Sequence, residues 1–278
     1  DHRLDARLVE YDVRGSIAHA EMLAAAGLLS DTDLTAIRDG LEALATAFAR
    51  GEWQIELDDE DCHTALESRL TARIGAAGGR LHLGRSRNDQ VLTALRLYLR
   101  DATDELAGRI EGLLDALDAM AGRDGDTVLP GYTHMQQAMP SSVSLWCGGY
   151  AEAFRDAQAG LAAAKRRIDL NPLGSAAGYG TPGLPLDRDM TTSTLGFAAS
   201  QEPVTAVQLS RGKAESGVLF EITLLMQDLG RLAEDTFGPG GRVSRAIRPE
   251  EEVAHGDRMR AAEAAPAGND RHLVERVG

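Results

Sequence analysis

Aromatic side chains are scarce, at 4% of residues, and there are only two cysteines, Cys62 and Cys147. With few rings to fill a sheet core, and with Ala, Leu, Glu, Asp and Arg dominating, the composition favours helices. The two cysteines lie far apart and match no metal-ligand spacing, so free thiols in a reducing compartment are expected. Long apolar runs are missing too. Nothing is long enough to span a bilayer, and the opening Asp1-His2-Arg3-Leu4 has no signal-peptide character. A cytoplasmic protein with no membrane partner is the expectation. Positive charge is outweighed, 29 Lys and Arg against 43 Asp and Glu, for a net charge of −14. That balance argues against nucleic acid as a partner, though a pocket on an acidic protein can still be locally basic. No P-loop or dinucleotide fingerprint is present, no internal repeat, and no strand-period alternation of any length.

What is there reads as helix. The 278 residues suffice for a substantial core and for one or two domains. Ser16 is a candidate N-cap for a helix over residues 17–26, which Gly27 closes. Ser30 and Asp33 form a capping-box-like start for a second helix, with Leu34, Ile37, Leu41, Leu44 and Phe48 as its buried stripe. The acidic run 58–61 suits the N-terminus of a helix over 62–74. Residues 75–84 are glycine-rich and predict a turn or loop. A long periodic segment follows over 91–121, on the order of 45 Å at ~1.5 Å per residue. Its expected face is Leu95, Leu99, Leu106, Ile110, Leu113, Leu117 and Met120. A second long helix is expected over 140–170, with Pro140 in its first turn and Val143, Trp146, Tyr150, Phe154, Leu161 and Ile168 on its face. Residues 171–183 predict a loop. A third long helix is expected over 203–237, with Val218, Leu219, Ile222, Leu225, Leu229 and Leu232 on one stripe. Helices this long need partners on several faces, so an oligomeric bundle is expected. After Phe237 the run Gly238-Pro239-Gly240-Gly241 breaks the helix. A short helix over 249–262 and a turn over 266–270 are expected beyond it.

Polar clusters stand beside these helix ends. His134, in Tyr132-Thr133-His134, is expected just upstream of the helix at Pro140, where free backbone donors favour an anion. A histidine there can exchange protons with a bound carboxylate-bearing molecule. His63 and Glu67 are four apart, on one helix face, and make a natural pair. With no third ligand they do not make a zinc site. Arg85, Arg87 and Asn88 supply guanidinium forks and an amide suited to carboxylates. Taken singly, each cluster reads as readily as an ordinary surface or helix-end group.

Taken in order, they form a pattern. The chain resembles argininosuccinate lyase, of the fumarase/aspartase superfamily that includes delta-crystallin. The resemblance rests on Tyr11-Asp12-Val13-Arg14-Gly15-Ser16-Ile17-Ala18-His19, Glu60-Asp61-Cys62-His63-Thr64-Ala65-Leu66-Glu67, Gly84-Arg85-Ser86-Arg87-Asn88-Asp89-Gln90-Val91, Leu129-Pro130-Gly131-Tyr132-Thr133-His134-Met135-Gln136 and Asn171-Pro172-Leu173-Gly174-Ser175-Ala176-Ala177. It implies an all-α fold, a long-helix bundle of the fumarase/aspartase type with a smaller helical N-terminal domain. Residues 1–89 would form that domain, 90–237 three of the five bundle helices, and 238–278 a remnant of the bundle and C-terminal region. It also implies a homotetramer with active sites shared between subunits, and no metal or organic cofactor. The implied reaction is reversible elimination of argininosuccinate to arginine and fumarate, in arginine biosynthesis. By motif, His134 would be the acid/base histidine. Ser16, Arg87, Asn88 and Thr133 would hold the substrate, and His63 would support substrate or catalytic geometry.

The sequence departs from the family at several places. The mobile loop that carries the family's proton-abstracting serine should follow the third long helix, and no segment matches it. Ser244 does not. The later substrate-binding segment with a Tyr, a Gln and a Lys is absent, as is the N-terminal arm, whereas residues 257–262 look like a piece from near the family's C-terminal region. The chain therefore reads as a member with a stretch removed near residue 238, and the expectation is that it is the ordered part of a longer protein. Two other readings stand beside lyase activity on argininosuccinate. One is a related fumarate-releasing lyase acting on another succinyl or aspartate adduct; the other is a catalytically inactive, crystallin-like relative with a structural role.

Overall fold

The computed structural model describes residues 2–134 and 136–237. The expected helix over 249–262, the turn over 266–270, Ser244 and Met135 lie outside the described residues. Within them the order is α1 (His2–Asp5), a 3-10 turn (Ala6–Leu8), α2 (Val9–Ala25), α3 (Asp31–Ala49), a second 3-10 turn (Leu57–Asp59), α4 (Cys62–Ile74), α5 (Ala76–Arg80) and α6 (Arg87–Asp124). Then come β1 (Val128–Thr133), β2 (Gln136–Ser142), α7 (Val143–Ile168), β3 (Leu170–Asn171), α8 (Arg188–Leu195), β4 (Ala199–Ser200), α9 (Ala206–Leu209) and α10 (Lys213–Phe237). The long-helix, all-α architecture that the resemblance implies is the one observed, with only short strands added. The described residues divide into two compact units: those within 2–110 with 156–224, and those within 111–155 with 225–237. This division cuts through α6, α7 and α10.

In the first unit, local chemistry sets the helix ends. Ser30 caps α3, its hydroxyl accepting from the Asp33 amide at 3.2 Å. Asp61 caps α4 by accepting from the Thr64 amide at 2.6 Å. Gly27, at φ +70°, turns the chain out of α2. The apolar faces of α2, α3 and α4 then meet in one core of Val9, Val13, Met22, Leu23, Ile37, Leu41, Leu66 and Leu70. Leu34 and Phe48 pack against it only partly buried. A second cluster of Ala18, Leu97, Leu173, Leu195 and Phe197 joins α2, α6 and α8. A third, of Ala164, Ile168, Ala214 and Val218, joins α7 to α10.

Several expectations are corrected. Ser16 does not cap a helix; it lies inside α2, which starts at Val9 because the polar Asp12 and Ser16 face buried partners rather than ending the helix. The glycine-rich stretch 75–84 is not all loop, since α5 occupies part of it between Gly75 and Gly84, both at positive φ. In α6 the buried positions include Leu92, Leu97 and Leu114, with Leu95, Leu99 and Leu113 only partly covered. A helix buried on more than one face has no single stripe for periodicity to find. The third long helix begins at Lys213 rather than near Pro203, because Gly212 at φ +80° separates it from the short α9. Leu219 is 61% exposed rather than buried.

The second unit holds the largest correction. Where Pro140 was expected to open a helix, residues 128–142 form an antiparallel hairpin, and α7 begins at Val143. Pro130 pairs opposite Pro140, where neither residue has an N–H to lose. A bulge follows between Pro130 and Tyr132. Gly131 is required there, because a Cβ would stand 2.5 Å from the Met139 carbonyl oxygen. Beneath the hairpin, Asp235 of α10 accepts hydrogen bonds from the Trp146 indole at 3.2 Å and the Tyr150 hydroxyl at 2.8 Å. Burial, then the Asp235 charge, pushes the Tyr150 phenol well above its ordinary range, so it stays a donor.

Candidate functional site

The first unit gathers residues from three of the sequence motifs into one polar cluster. Asp12 and Ser16 come from α2, His63 and Glu67 from α4, Arg85 from just before α6, and Arg87 and Gln90 from its first turn. Their placement follows from helix geometry. Asp12 and Ser16 are one turn apart on α2, as are His63 and Glu67 on α4, and both pairs point toward the α6 N-terminus.

Asp12 is the centre. It is 2% exposed, and its carboxylate accepts from Gln90 Nε2 at 2.9 and 3.1 Å and from the Ser16 hydroxyl at 3.4 Å. His63 Nδ1 lies 3.1 Å from Asp12 Oδ2. Burial alone would raise the Asp12 pKa; the contacts with His63, Arg85 and Gln90 outweigh it and hold the carboxyl below its usual range. The expected His63–Glu67 pair is therefore not the contact that forms. His63 turns to Asp12, while Glu67 reaches the α6 start and accepts from Arg87 Nη2 at 2.9 Å. The other Glu67 oxygen is 3.0 Å from His82 Nε2. Spacing along one helix showed that His63 and Glu67 share a face, but not that a charged residue on α2 would compete for the histidine.

The arginines divide their roles. Arg85 points inward, and its Nη1 donates to the Ser16 hydroxyl at 2.9 Å. Arg87 is partly exposed and donates to Gln90 Oε1 at 3.0 Å as well as to Glu67. Asn88 donates from Nδ2 to the Ser86 hydroxyl at 3.2 Å and accepts from Arg211 at 3.1 Å. His19, beside Arg85, has 0% exposure, and its Nε2 is 2.9 Å from the Leu83 carbonyl, which it serves as a donor. Burial first and the Arg85 charge second push its pKa down to about 3. It is a neutral ring at ordinary pH. Burial also raises the Cys62 thiol pKa far above its usual range, which leaves a protonated, unreactive sulfur. Cys62 and Cys147 are both free.

Asp89 ties the cluster to the Asn171–Gly180 loop. It is fully buried, and it accepts from the Ser86 amide at 2.9 Å, the Gly174 amide at 3.0 Å and the Ala176 amide at 2.8 Å. Burial raises its pKa, and the three backbone donors pull against that rise.

Of the residues singled out from sequence, Ser16, His63, Arg87 and Asn88 are brought together in the first unit. Thr133 and His134 belong to the hairpin of the second unit, where both are exposed and His134 forms the tip at φ +48°. His134 therefore sits in a turn between strands, not ahead of a helix. Arg85, already singled out beside Arg87, is joined by Asp12, His19, Asp89 and Gln90 in holding the cluster together, and those four were visible beforehand only as members of the quoted motifs. Among the described residues no group of His, Cys, Asp and Glu is arranged to hold a metal ion. Nor is any helix there long and apolar enough to cross a membrane.

The described residues thus form a long-helix protein with a buried carboxylate–histidine–arginine cluster at its helix ends. The profile of the lyase family matches residues 1–238, and the chain belongs to that family. An argininosuccinate lyase of Parabacteroides distasonis is 45% identical over 235 residues, which are 84% of this chain and 52% of that protein. One from Sorangium cellulosum is 46% identical over 235 residues, 84% of this chain and 54% of that protein. The chain thus spans about half the length of the curated relatives it matches. A crystal structure of EDDS lyase in complex with formate superposes with a TM-score of 0.75 at 28% identity, over 84% of this chain and 45% of that one.

Proposed function

We propose that the chain is part of an argininosuccinate lyase, which reversibly eliminates L-arginine from argininosuccinate to leave fumarate. The carrying observation is the identity of 45% to a protein of that name over 235 residues. The convergence of Ser16, His63, Arg87 and Asn88 beside Asp12 supports it.

The chemistry makes definite demands. A proton leaves the carbon next to a carboxylate, so charge builds on that carboxylate and must be met by fixed donors. The half-exposed Arg87 guanidinium, oriented by Glu67 and Gln90, suits that task, as does the Asn88 amide. An acid must also assist the departing guanidinium nitrogen, and the exposed imidazole of His134 is suited to it, with Thr133 beside it holding substrate. Ser16, whose hydroxyl meets Arg85 and Asp12, would join them in holding substrate, and His63, against Asp12, would support substrate or catalytic geometry. No metal or organic cofactor enters this reading. The protein is placed in the cytoplasm, in arginine biosynthesis, and acts as a homotetramer whose subunits complete one another's sites. The domains remain those set by motif, a helical N-terminal domain over 1–89 and bundle helices over 90–237. Supporting assembly, Leu219 and Phe220 on α10 are 61% and 59% exposed, an apolar face that a monomer would leave in water.

The test is release of fumarate from argininosuccinate by the full-length protein, followed by ultraviolet absorbance; a folded tetramer that releases none sinks the proposal. A second reading, a lyase for another succinyl or aspartate adduct, is favoured by the likeness to EDDS lyase. A panel of such adducts separates the two by relative kcat/KM.

A further inference from the structure

Two buried polar groups lie outside the chemistry described above: the Arg96 guanidinium and the Asp89 carboxylate. Arg96 is spent on structure, donating to the Leu170 carbonyl at 2.7 Å, Gln201 Oε1 at 2.6 Å and the Ser210 hydroxyl at 2.8 Å. Asp89 differs, because it joins two of the motif segments.

We propose that Asp89 is a positioning residue, whose carboxylate locks the Gly174–Ala176 turn onto the start of α6 and thereby sets Arg87 and Asn88 for a substrate carboxylate. This rests on the lyase reading of the site. Each oxygen of Asp89 has a separate duty. Oδ1 accepts from the Ser86 amide and, with the Ser86 hydroxyl 3.3 Å from the Asn88 amide, closes the first turn of α6 as a reciprocal cap. Oδ2 accepts from the amides of Gly174 and Ala176, residues far away in sequence. Those two amides point to one oxygen only because the turn is bent through the left-handed region at both residues, φ +86° at Gly174 and φ +50° at Ala176. Ala176 has a Cβ and resists that conformation, so a bond must hold it there. Arg188 closes the turn from the other side, its Nε donating to the Leu173 carbonyl at 3.0 Å. Arg87 and Asn88 are the two residues immediately before Asp89, in the same helical turn. A loosened cap lets both swing, and Arg87 would lose its register with Glu67 and Gln90.

Asp89→Asn keeps the size and removes one acceptor. Its amide NH2 would face either the Ser86 amide or the two turn amides, donor against donor. Hydrogen exchange followed by mass spectrometry on the ligand-free full chain reads the turn directly. In the unsubstituted chain the Gly174 and Ala176 amides should exchange at least a hundredfold slower than in an open loop; open-loop rates there overturn the proposal without any variant. In Asp89→Asn the segment 172–178 should exchange at least tenfold faster, and calorimetric titration with fumarate should show affinity at least tenfold weaker. Where the chain turns over argininosuccinate, KM should rise at least tenfold while kcat falls less than threefold. A merely structural role would lower the melting temperature and leave KM and fumarate affinity as they were, and that result overturns the proposal. Protection of 172–178 unchanged in a folded Asp89→Asn also overturns it. Should the unsubstituted chain neither bind fumarate nor release it, the lyase reading falls, while the exchange comparison still decides whether Asp89 holds the turn.

Discussion

His19 is a histidine that folding keeps uncharged, and acid should destabilise the first unit through it. The ring has 0% exposure, offers Nε2 to the Leu83 carbonyl, and lies near the Arg85 and His82 charges. Burial first, and Arg85 second, lower its pKa from 6.5 to about 3. The unfolded chain therefore takes up a proton below pH 6.5 that the folded chain refuses until about pH 3. Unfolding is coupled to proton uptake in that window, so this contribution to stability is intact above 6.5 and is lost as pH falls. At pH 5 the unfolded histidine sits about 1.5 pH units below its pKa, and at ~1.4 kcal/mol per unit the loss is about 2 kcal/mol. The measurement is the urea unfolding free energy at pH 7 and pH 5, by circular dichroism, for the unsubstituted chain and for His19→Gln. Glutamine carries an amide N–H near the position of the imidazole Nε2 and cannot titrate. The unsubstituted chain should lose about 2 kcal/mol more than the variant over that interval. Equal losses in the two proteins would refute the reasoning and show that the imidazole is hydrated, or charged, in the folded state.

On the proposed lyase function, replacing His134 by Asn should reduce fumarate release from argininosuccinate by about a hundredfold or more, the scale of a lost acid or base, with circular dichroism and assembly mass unchanged; near-normal turnover would remove His134 from the reaction. Gly131→Ala should destabilise the second unit by about 1–3 kcal/mol, because its Cβ would meet the Met139 carbonyl oxygen at 2.5 Å. A thermal melt with no shift would show that the bulge yields easily. Ser30→Ala removes the acceptor for the Asp33 amide and should cost about 1 kcal/mol, as N-caps do; Ser30→Gly should cost only a few tenths, and the difference is readable in urea midpoints.

Helices such as α3 and α4 could be read from the sequence because they advertise themselves locally, whereas α5, α8 and α9 could not. Ser30 and Asp33, or Asp61 before Cys62, are caps whose partners lie within one turn, and the Ile37, Leu41 and Leu44 stripe needs only the 3.6-residue repeat. The order of the motif residues, and the family it marks, are likewise properties of the linear chain. What the tertiary structure decided is where contacts run between segments. The hairpin over 128–142 has mostly exposed positions and two facing prolines, so it carries no alternation to detect; it exists because the two strands meet. His63 could pair with Glu67 by spacing alone, and the choice of Asp12 instead depends on how α2 packs on α4. Asp89 finds Gly174 and Ala176 only once the loop after α7 has folded back on the start of α6. Local propensity is written residue by residue, but a buried charge is satisfied by whatever donors packing brings within about 3 Å, and those donors can come from anywhere in the chain.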